Sequence, residues 1–299
     1  ERRRVEYAVR SHHRGRHTLG PMTLTSRDVF GLTAYTLDQP TVTELLVLPR
    51  VVPLGDRRPP GLGLGQEGET PHLVTLNGED DASVREYREG DSLRRIHWPS
   101  TARMGELMVR QEDRPARRRV VVLLDHRAEA FGGVGPTSSY EWAVIAAASI
   151  VAHCDALGYA VHLLCAGPSA ALSSAEATTT GPALETLALT TPHPGRTLDE
   201  LVAGASPVVA EGGLLVAILG DLPDDSGGRL AALRASGATA MAFVLAASDS
   251  TVAARQVSDD LVAAGWASIP VERGADVRLR WTHLVSAASG SRSPSGVGR

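Results

Sequence analysis

The sequence predicts an α/β fold, a doubly wound parallel sheet preceded by a small all-β domain. Two observations lead to that class. Beyond residue 118, apolar runs at 120–124, 160–164, 214–219 and 239–245 alternate with stretches of helical spacing, and continuous apolar runs mark strands buried on both faces of a parallel sheet. Before residue 54, short segments of alternating pattern lie between turn formers.

Taken in order, residues 5–9 and 22–25 alternate apolar with polar, near Gly15, Gly20-Pro21 and Gly31, and 42–48 is a further strand candidate closed by Pro49. A small sandwich or half-barrel over 1–54 is expected. Residues 55–83 are rich in Gly and Pro. The run Gly61-Leu62-Gly63-Leu64-Gly65 has no strand before it and no helix after it, so it reads as a linker and not as a dinucleotide fingerprint. Residues 84–117 are polar and densely charged. From 118 to 286 strands and helices alternate: strand 120–124 ending in Asp125, helix 141–157 closed by Gly158, strand 160–164, and a helix from Leu198. Then come strand 214–219 ending in Gly220-Asp221, helix 229–235, strand 239–245, helix 259–264 and a short edge strand at 268–271. The Ser-, Gly- and Arg-rich tail, 287–299, is expected to be disordered.

The composition is that of an ordinary globular protein, with 43% apolar and 21% charged residues in a chain of 299. That length permits two cores. A net charge of −4 offers no global attraction to nucleic acid or anionic lipid, and an aromatic content of 4% leaves little surface for stacking bases. A nucleic-acid partner is therefore not expected. Every basic residue is Arg, a choice most simply set by codon usage. Cys154 and Cys165 lie in apolar runs without metal-ligand spacing, which reads as buried thiols. The chain opens on Glu1-Arg2-Arg3-Arg4. Such a basic cluster suits the cytoplasmic flank of a preceding membrane segment, so a membrane-anchored protein with its soluble part in the cytoplasm is expected.

Open parallel sheets bind ligands beyond the carboxyl ends of their strands. Asp125 and Asp221 fall there, and Thr197 stands at a helix start where it either caps or adds a hydroxyl. No certain cofactor follows. Mg²⁺ is the cation that such oxygen groups would take.

This succession of apolar strand, Asp, helix, Thr at a helix start and apolar strand ending in Asp resembles the von Willebrand factor A fold. The resemblance implies a metal site with Asp125, Thr197 and Asp221 at the matching positions. Where that family has two serines, this chain has Arg127 and Glu129. Glu129 would replace a serine as ligand, whereas Arg127 would oppose a divalent cation or occupy its place as a built-in counter-ion.

The segment Val84-Arg85-Glu86-Tyr87-Arg88-Glu89-Gly90-Asp91-Ser92-Leu93-Arg94-Arg95-Ile96-His97-Trp98, with Ser100-Thr101-Ala102-Arg103 after it, resembles the signature of the bacterial family called domain of unknown function 58. Residues 14–21, 28–32 and 47–50 are similar to that family's N-terminal strands. The resemblance implies an N-terminal membrane anchor and association with MoxR-type AAA+ ATPases, and it brings no catalytic residue. Within the signature, Arg85, Tyr87, Gly90, Asp91, Arg94, Arg95, His97, Trp98 and Arg103 are expected to form either an interdomain clamp or an exposed docking surface.

The functional expectation is a non-enzymatic, membrane-tethered protein-interaction module, an adaptor for such an ATPase. The alternative is a metal-dependent hydrolase using Asp125, Asp221 and Glu129.

Overall fold

The computed structural model describes residues 6–59, 84–86, 96, 98–110, 119–166, 176–223, 226–234, 239–248 and 250–290. The chain divides into two compact units, Glu1–Leu62 with Arg118–Arg299, and Gly63–Arg117.

The centre of the first unit is a five-stranded sheet built from β7 (Arg119–Leu124), β8 (Ala160–Leu164), β9 (Leu214–Leu219), β10 (Ala240–Leu245) and β11 (Ala267–Val271). All the pairings are parallel, in the order β11-β10-β9-β7-β8. Between strands run the helices α2 (Ser139–Ala156), α3 (Thr180–Leu189), α4 (Leu198–Ala210), α5 (Ser226–Ala231) and α6 (Val252–Ala263), and α7 (Val277–Gly290) follows the last strand. This is a doubly wound α/β architecture. The chain leaves β7 for β8 on one side and returns through α4 to β9 on the other, so the order reverses between β7 and β9.

The period of two along each strand builds a separate core on each face. Val120, Val122 and Leu124, with Leu214, Val216, Ile218, Met241 and Phe243, pack on the face that carries α2, α3 and α7. Val121 and Leu123, with Leu215, Ala217, Leu219, Ala242 and Val244, pack on the face that carries α4, α5 and α6. The expected strands correspond closely to β7–β11, and residues 268–271 lie at the sheet edge. The helix from Leu198 also matches. The sequence reading missed α3 and α7, whose contact with the core is carried by a few widely spaced residues, Leu187 and Ala183 in one and Trp281, Leu284 and Val285 in the other. Helix α7 runs on to Gly290, so residues 287–290 are helical and not a disordered tail.

α2 is apolar almost all round because it is covered on every side. It packs on β7, β8 and β9, against α3 and α7, and beneath the extended segment 48–58. That segment seats Leu54 in the core and donates the Val52 N–H to Ser149 Oγ at 2.9 Å, while His153 Nε2 contacts the Arg57 carbonyl at 3.0 Å.

The N-terminal strands are β1 (Gly15–Leu19), β2 (Met22–Arg27), β3 (Ala34–Gln39) and β4 (Thr43–Val47). They form small antiparallel sheets of two strands each, β1 with β4 and β2 with β3. Every residue of β2 and β3 is exposed, so these strands make a ribbon arm and not the sandwich expected over 1–54. Residues 6–9 are in no strand. The arm is tied to the α/β body, and for that reason it shares one unit with it. Arg14 donates to Glu141 Oε1 at 2.8 Å, to the Leu187 carbonyl at 3.0 Å and to the Thr190 carbonyl, and lies 5.6 Å from the Tyr140 ring centre.

In the second unit β5 (Val84–Glu86) pairs antiparallel with β6 (Met108–Arg110), and α1 (Trp98–Met104) lies between them in sequence. Met108 N–H donates to Thr101 Oγ1 at 3.0 Å. The rest of the expected linker and signature, including residues 60–83, lies outside the described residues.

Close backbone approaches fix the rim of the sheet. A Cβ built on Gly132, in the loop after β7, would stand 1.6 Å from the Ala247 carbonyl oxygen after β10. We predict that Gly132→Ala lowers stability by about 3 kcal/mol, the upper end of overpacking costs because backbone and not side chain must move. Chemical denaturation measures it, and an unchanged midpoint would contradict the close approach.

Candidate functional site

Three loops meet where the strand order reverses: 125–130 after β7, 193–197 before α4, and 220–223 after β9. Backbone pairing holds them together. Asp125 N–H donates to the Ile218 carbonyl at 2.9 Å, His193 N–H to His126 O at 2.7 Å, Ala128 N–H to His193 O at 3.0 Å, and Asp221 N–H to Ala130 O at 2.7 Å. Gly220 passes so near Ala130 that a Cβ would lie 2.4 Å from its carbonyl oxygen.

Within this knot Asp125 is 0% exposed. A buried carboxylate needs a counter-charge and donors for both oxygens. Arg127 supplies most of them. Its Nε donates to Oδ1 at 3.0 Å, its Nη2 to Oδ2 at 2.6 Å, and its backbone N–H to Oδ1 at 3.0 Å. The Gly220 N–H completes the set at Oδ2, 3.1 Å away, and Arg127 Nη2 also donates to the Asp221 carbonyl at 3.1 Å. This bidentate fork is the strongest geometry open to the pair. It also joins the end of β7 to the end of β9.

Outside the pair opens a cleft of about 320 Å³ lined by Arg127, Glu129, Arg196, Asp221, Leu222 and Pro223. Glu129 accepts the Gly195 N–H at 2.9 Å, and this hydrogen bond is the main reason that its carboxyl sits below the usual carboxylate value. Arg196 lies 3.4 Å from Glu200.

The four residues expected around a metal are thus close in the fold but differently employed. Thr197 caps α4, accepting from Glu200 N–H while Glu200 accepts from Thr197 N–H, each at 3.3 Å; this reciprocal box is a complete use of the residue. Asp221 Oδ1 accepts from Leu222 N–H at 3.2 Å. Each oxygen of Asp125 already accepts two N–H groups, and a guanidinium stands where a cation would sit. The donor set does not fit Mg²⁺, and among the described residues no group of three or more His, Cys, Asp or Glu is placed to hold a metal.

Of the signature residues, Trp98 opens α1 and is exposed, Arg103 is exposed in its last turn, and Arg85 lies in β5. Tyr87, Gly90, Asp91, Arg94, Arg95 and His97 lie outside the described residues.

Two groups that sequence reasoning passed over stand beside the pair. His126 is buried, its Nδ1 has no hydrogen-bond partner among the described residues, and its ring meets that of His193 edge-on with centres 6.3 Å apart. Burial, the largest influence, holds its pKa below the ordinary 6.5, reinforced by His193, Arg196 and Arg127 and opposed by Asp125. Its position directly between two polar residues of a strand end was the available signal.

Residues 83–183 match the family described as Protein of unknown function DUF58. The match supports a place in that family. The DUF58 stretch takes in Asp125, Arg127 and Glu129 along with β7, α2 and β8. No curated protein and no solved structure matches the chain.

Two outcomes follow. Arg127→Met leaves Asp125 buried without its counter-charge and is expected to cost about 3–5 kcal/mol, whereas the double change Asp125→Leu with Arg127→Met costs clearly less; urea denaturation of both variants measures this, and equal losses would show that the two side chains are not coupled. Because the folded value of His126 is lowered, the unfolded chain takes up that proton first. Stability is therefore full above about pH 6.5 and falls as pH drops through it toward the folded value, by at most about 1.4 kcal/mol per pH unit. The fall between pH 7 and 5 should be shallower in His126→Asn, as thermal melts would show; an identical slope removes His126 as a cause.

Proposed function

We propose that this chain is a non-enzymatic protein-interaction module whose sheet is of von Willebrand A-like kind and whose charged carboxyl edge receives a partner. The observation that carries this reading is the Asp125–Arg127 pair. The acid that metal-assisted chemistry would use at the strand-order reversal is saturated by two N–H groups of a guanidinium and two backbone N–H groups. Around it remain Glu129, Arg196 and Asp221, alternating in sign on a rim held by backbone pairing. Such a rim suits charge-complementary docking, which sets specificity and encounter rate. The partner that the family resemblance suggests is a MoxR-type AAA+ ATPase, and membrane tethering belongs to the same proposal. Among the described residues no helix is long and apolar enough to cross a membrane.

Metal-dependent hydrolysis has weaker support, since it requires Asp125 to release Arg127 first.

Calorimetric titration of Mg²⁺ and Mn²⁺ into the chain should give no binding heat at millimolar concentration, and phosphoester turnover dependent on Asp125 would overturn the reading. In a pull-down with the ATPase, Glu129→Arg or Arg196→Glu should each lower recovery about tenfold or more, because like charges at an interface cost several kcal/mol. Recovery unchanged by both, with binding lost on replacing Asp91, Arg94 and Arg95, would move the docking surface to the signature segment.

A further inference from the structure

The arm formed by β2 and β3 ends in an apex that no described residue of the first unit covers. Val29 is 93% exposed, Phe30 82% and Leu32 82%. Bulky apolar side chains this exposed and this close together mark a contact surface. The apex is held in shape by its own hydrogen bonds: Asp28 N–H donates to Thr33 O at 3.1 Å, Gly31 N–H to Asp28 O at 3.0 Å, and Thr33 N–H to Asp28 Oδ1 at 3.2 Å. Gly31 takes φ +69° to make the turn, a conformation that glycine adopts without penalty. The side chains are therefore presented outward by a fixed frame.

Pairing of the strands sorts the ribbon into two faces, since directly opposed residues share a side. Met22 with Gln39, Leu24 with Leu37 and Ser26 with Tyr35 give one largely apolar face; Thr23 with Asp38, Thr25 with Thr36 and Arg27 with Ala34 give a polar one. The six residues of each strand carry the apex about 20 Å outward. From 29 to 37 the sequence has no charged residue. Behind the apex stand Tyr35, 67% exposed, on the apolar face and Arg27 on the polar one.

We propose that this arm inserts its apex, Val29, Phe30 and Leu32, into the interface of a lipid bilayer. The layout specifies the occupant. Val29, Phe30, Gly31 and Leu32 carry no side-chain hydrogen-bonding group or charge, and the carboxylate next to them, Asp28, already accepts the Thr33 N–H at 3.2 Å. The apex itself therefore has little of the polar surround by which protein interfaces gain specificity. A bilayer is recognised by apolar insertion alone. Tyr35 stands where an amphipathic ring meets the headgroup layer, and Arg27 has the long stem that lets a charge reach water or phosphate from that depth. The backbone pairing inside the turn lowers the number of polar groups that lipid would leave unsatisfied. This contact is independent of the protein docking proposed above, because it uses none of the rim residues Glu129, Arg196 and Asp221.

The test is co-flotation of the full chain with phosphatidylcholine vesicles and with vesicles containing phosphatidylglycerol. Both should carry the protein, and Phe30→Asp or Leu32→Asp should lower the bound fraction at least about tenfold, as expected for losing one buried apolar side chain. Val134→Asp, at an equally exposed apolar residue outside β2, β3 and the turn between them, should bind as the wild type does, and circular dichroism should show all variants folded. Failure of the wild type to float with either vesicle overturns the proposal. So does floating only with anionic vesicles and equally in Phe30→Asp, which is a surface-charge effect. Self-association in sedimentation that Phe30→Asp abolishes, without vesicle binding, would assign the apex to a second copy of the chain instead.

Discussion

Asp125 follows a central strand with no exposed surface, and burying a carboxylate without a counter-charge costs several kcal/mol. The counter-charge comes from Arg127, two residues on, through a turn that brings the guanidinium back onto the acid. Much of the rim depends on this. The Gly220 N–H is drawn onto the same carboxylate, and the Asp221 carbonyl onto the same guanidinium. The ends of β7 and β9 are thereby locked at the point where an α/β sheet ordinarily opens to a ligand. The cleft that remains lies outside the pair, with Arg127 as one wall.

The sheet below supplies rigidity by simple means. Its central strands are apolar on both sides, and alternation divides their side chains between two cores closed by opposite sets of helices. The many small side chains of α2 let it lie close to the sheet while the 48–58 segment, α3 and α7 cover its other sides. Anchoring of the arm follows from that arrangement. Arg14 reaches the carboxyl end of α3 and the first turn of α2, where free carbonyls and Glu141 are available to a cation.

The arm and the rim present opposite chemistry. One is an uncharged apex on a hydrogen-bonded turn; the other is a set of alternating charges on a fixed edge. The two surfaces have no residue in common.

The α/β architecture was legible in the sequence because strands buried on both faces must be continuously apolar, and the runs at 120–124, 214–219 and 239–245 have no other stable placement. The positions of Asp125 and Asp221 at the carboxyl edge followed from the same pattern, that of Thr197 from its place at a helix start, and that of Glu129 only from the resemblance to the von Willebrand A fold. What those residues do there did not. Whether Arg127 opposes a metal or neutralises Asp125 depends on the direction of one side chain, which is held by Asp125 and the Asp221 carbonyl across the ends of β7 and β9. Thr197 shows the same division, since its hydroxyl serves its own helix. The sandwich expected at the N-terminus failed for a related reason: alternation shows that a strand has two unlike faces, but only the tertiary structure decides whether anything covers the apolar one. In the arm no described residue of its own unit does, because β2 and β3 pair with each other and every residue of both stays exposed.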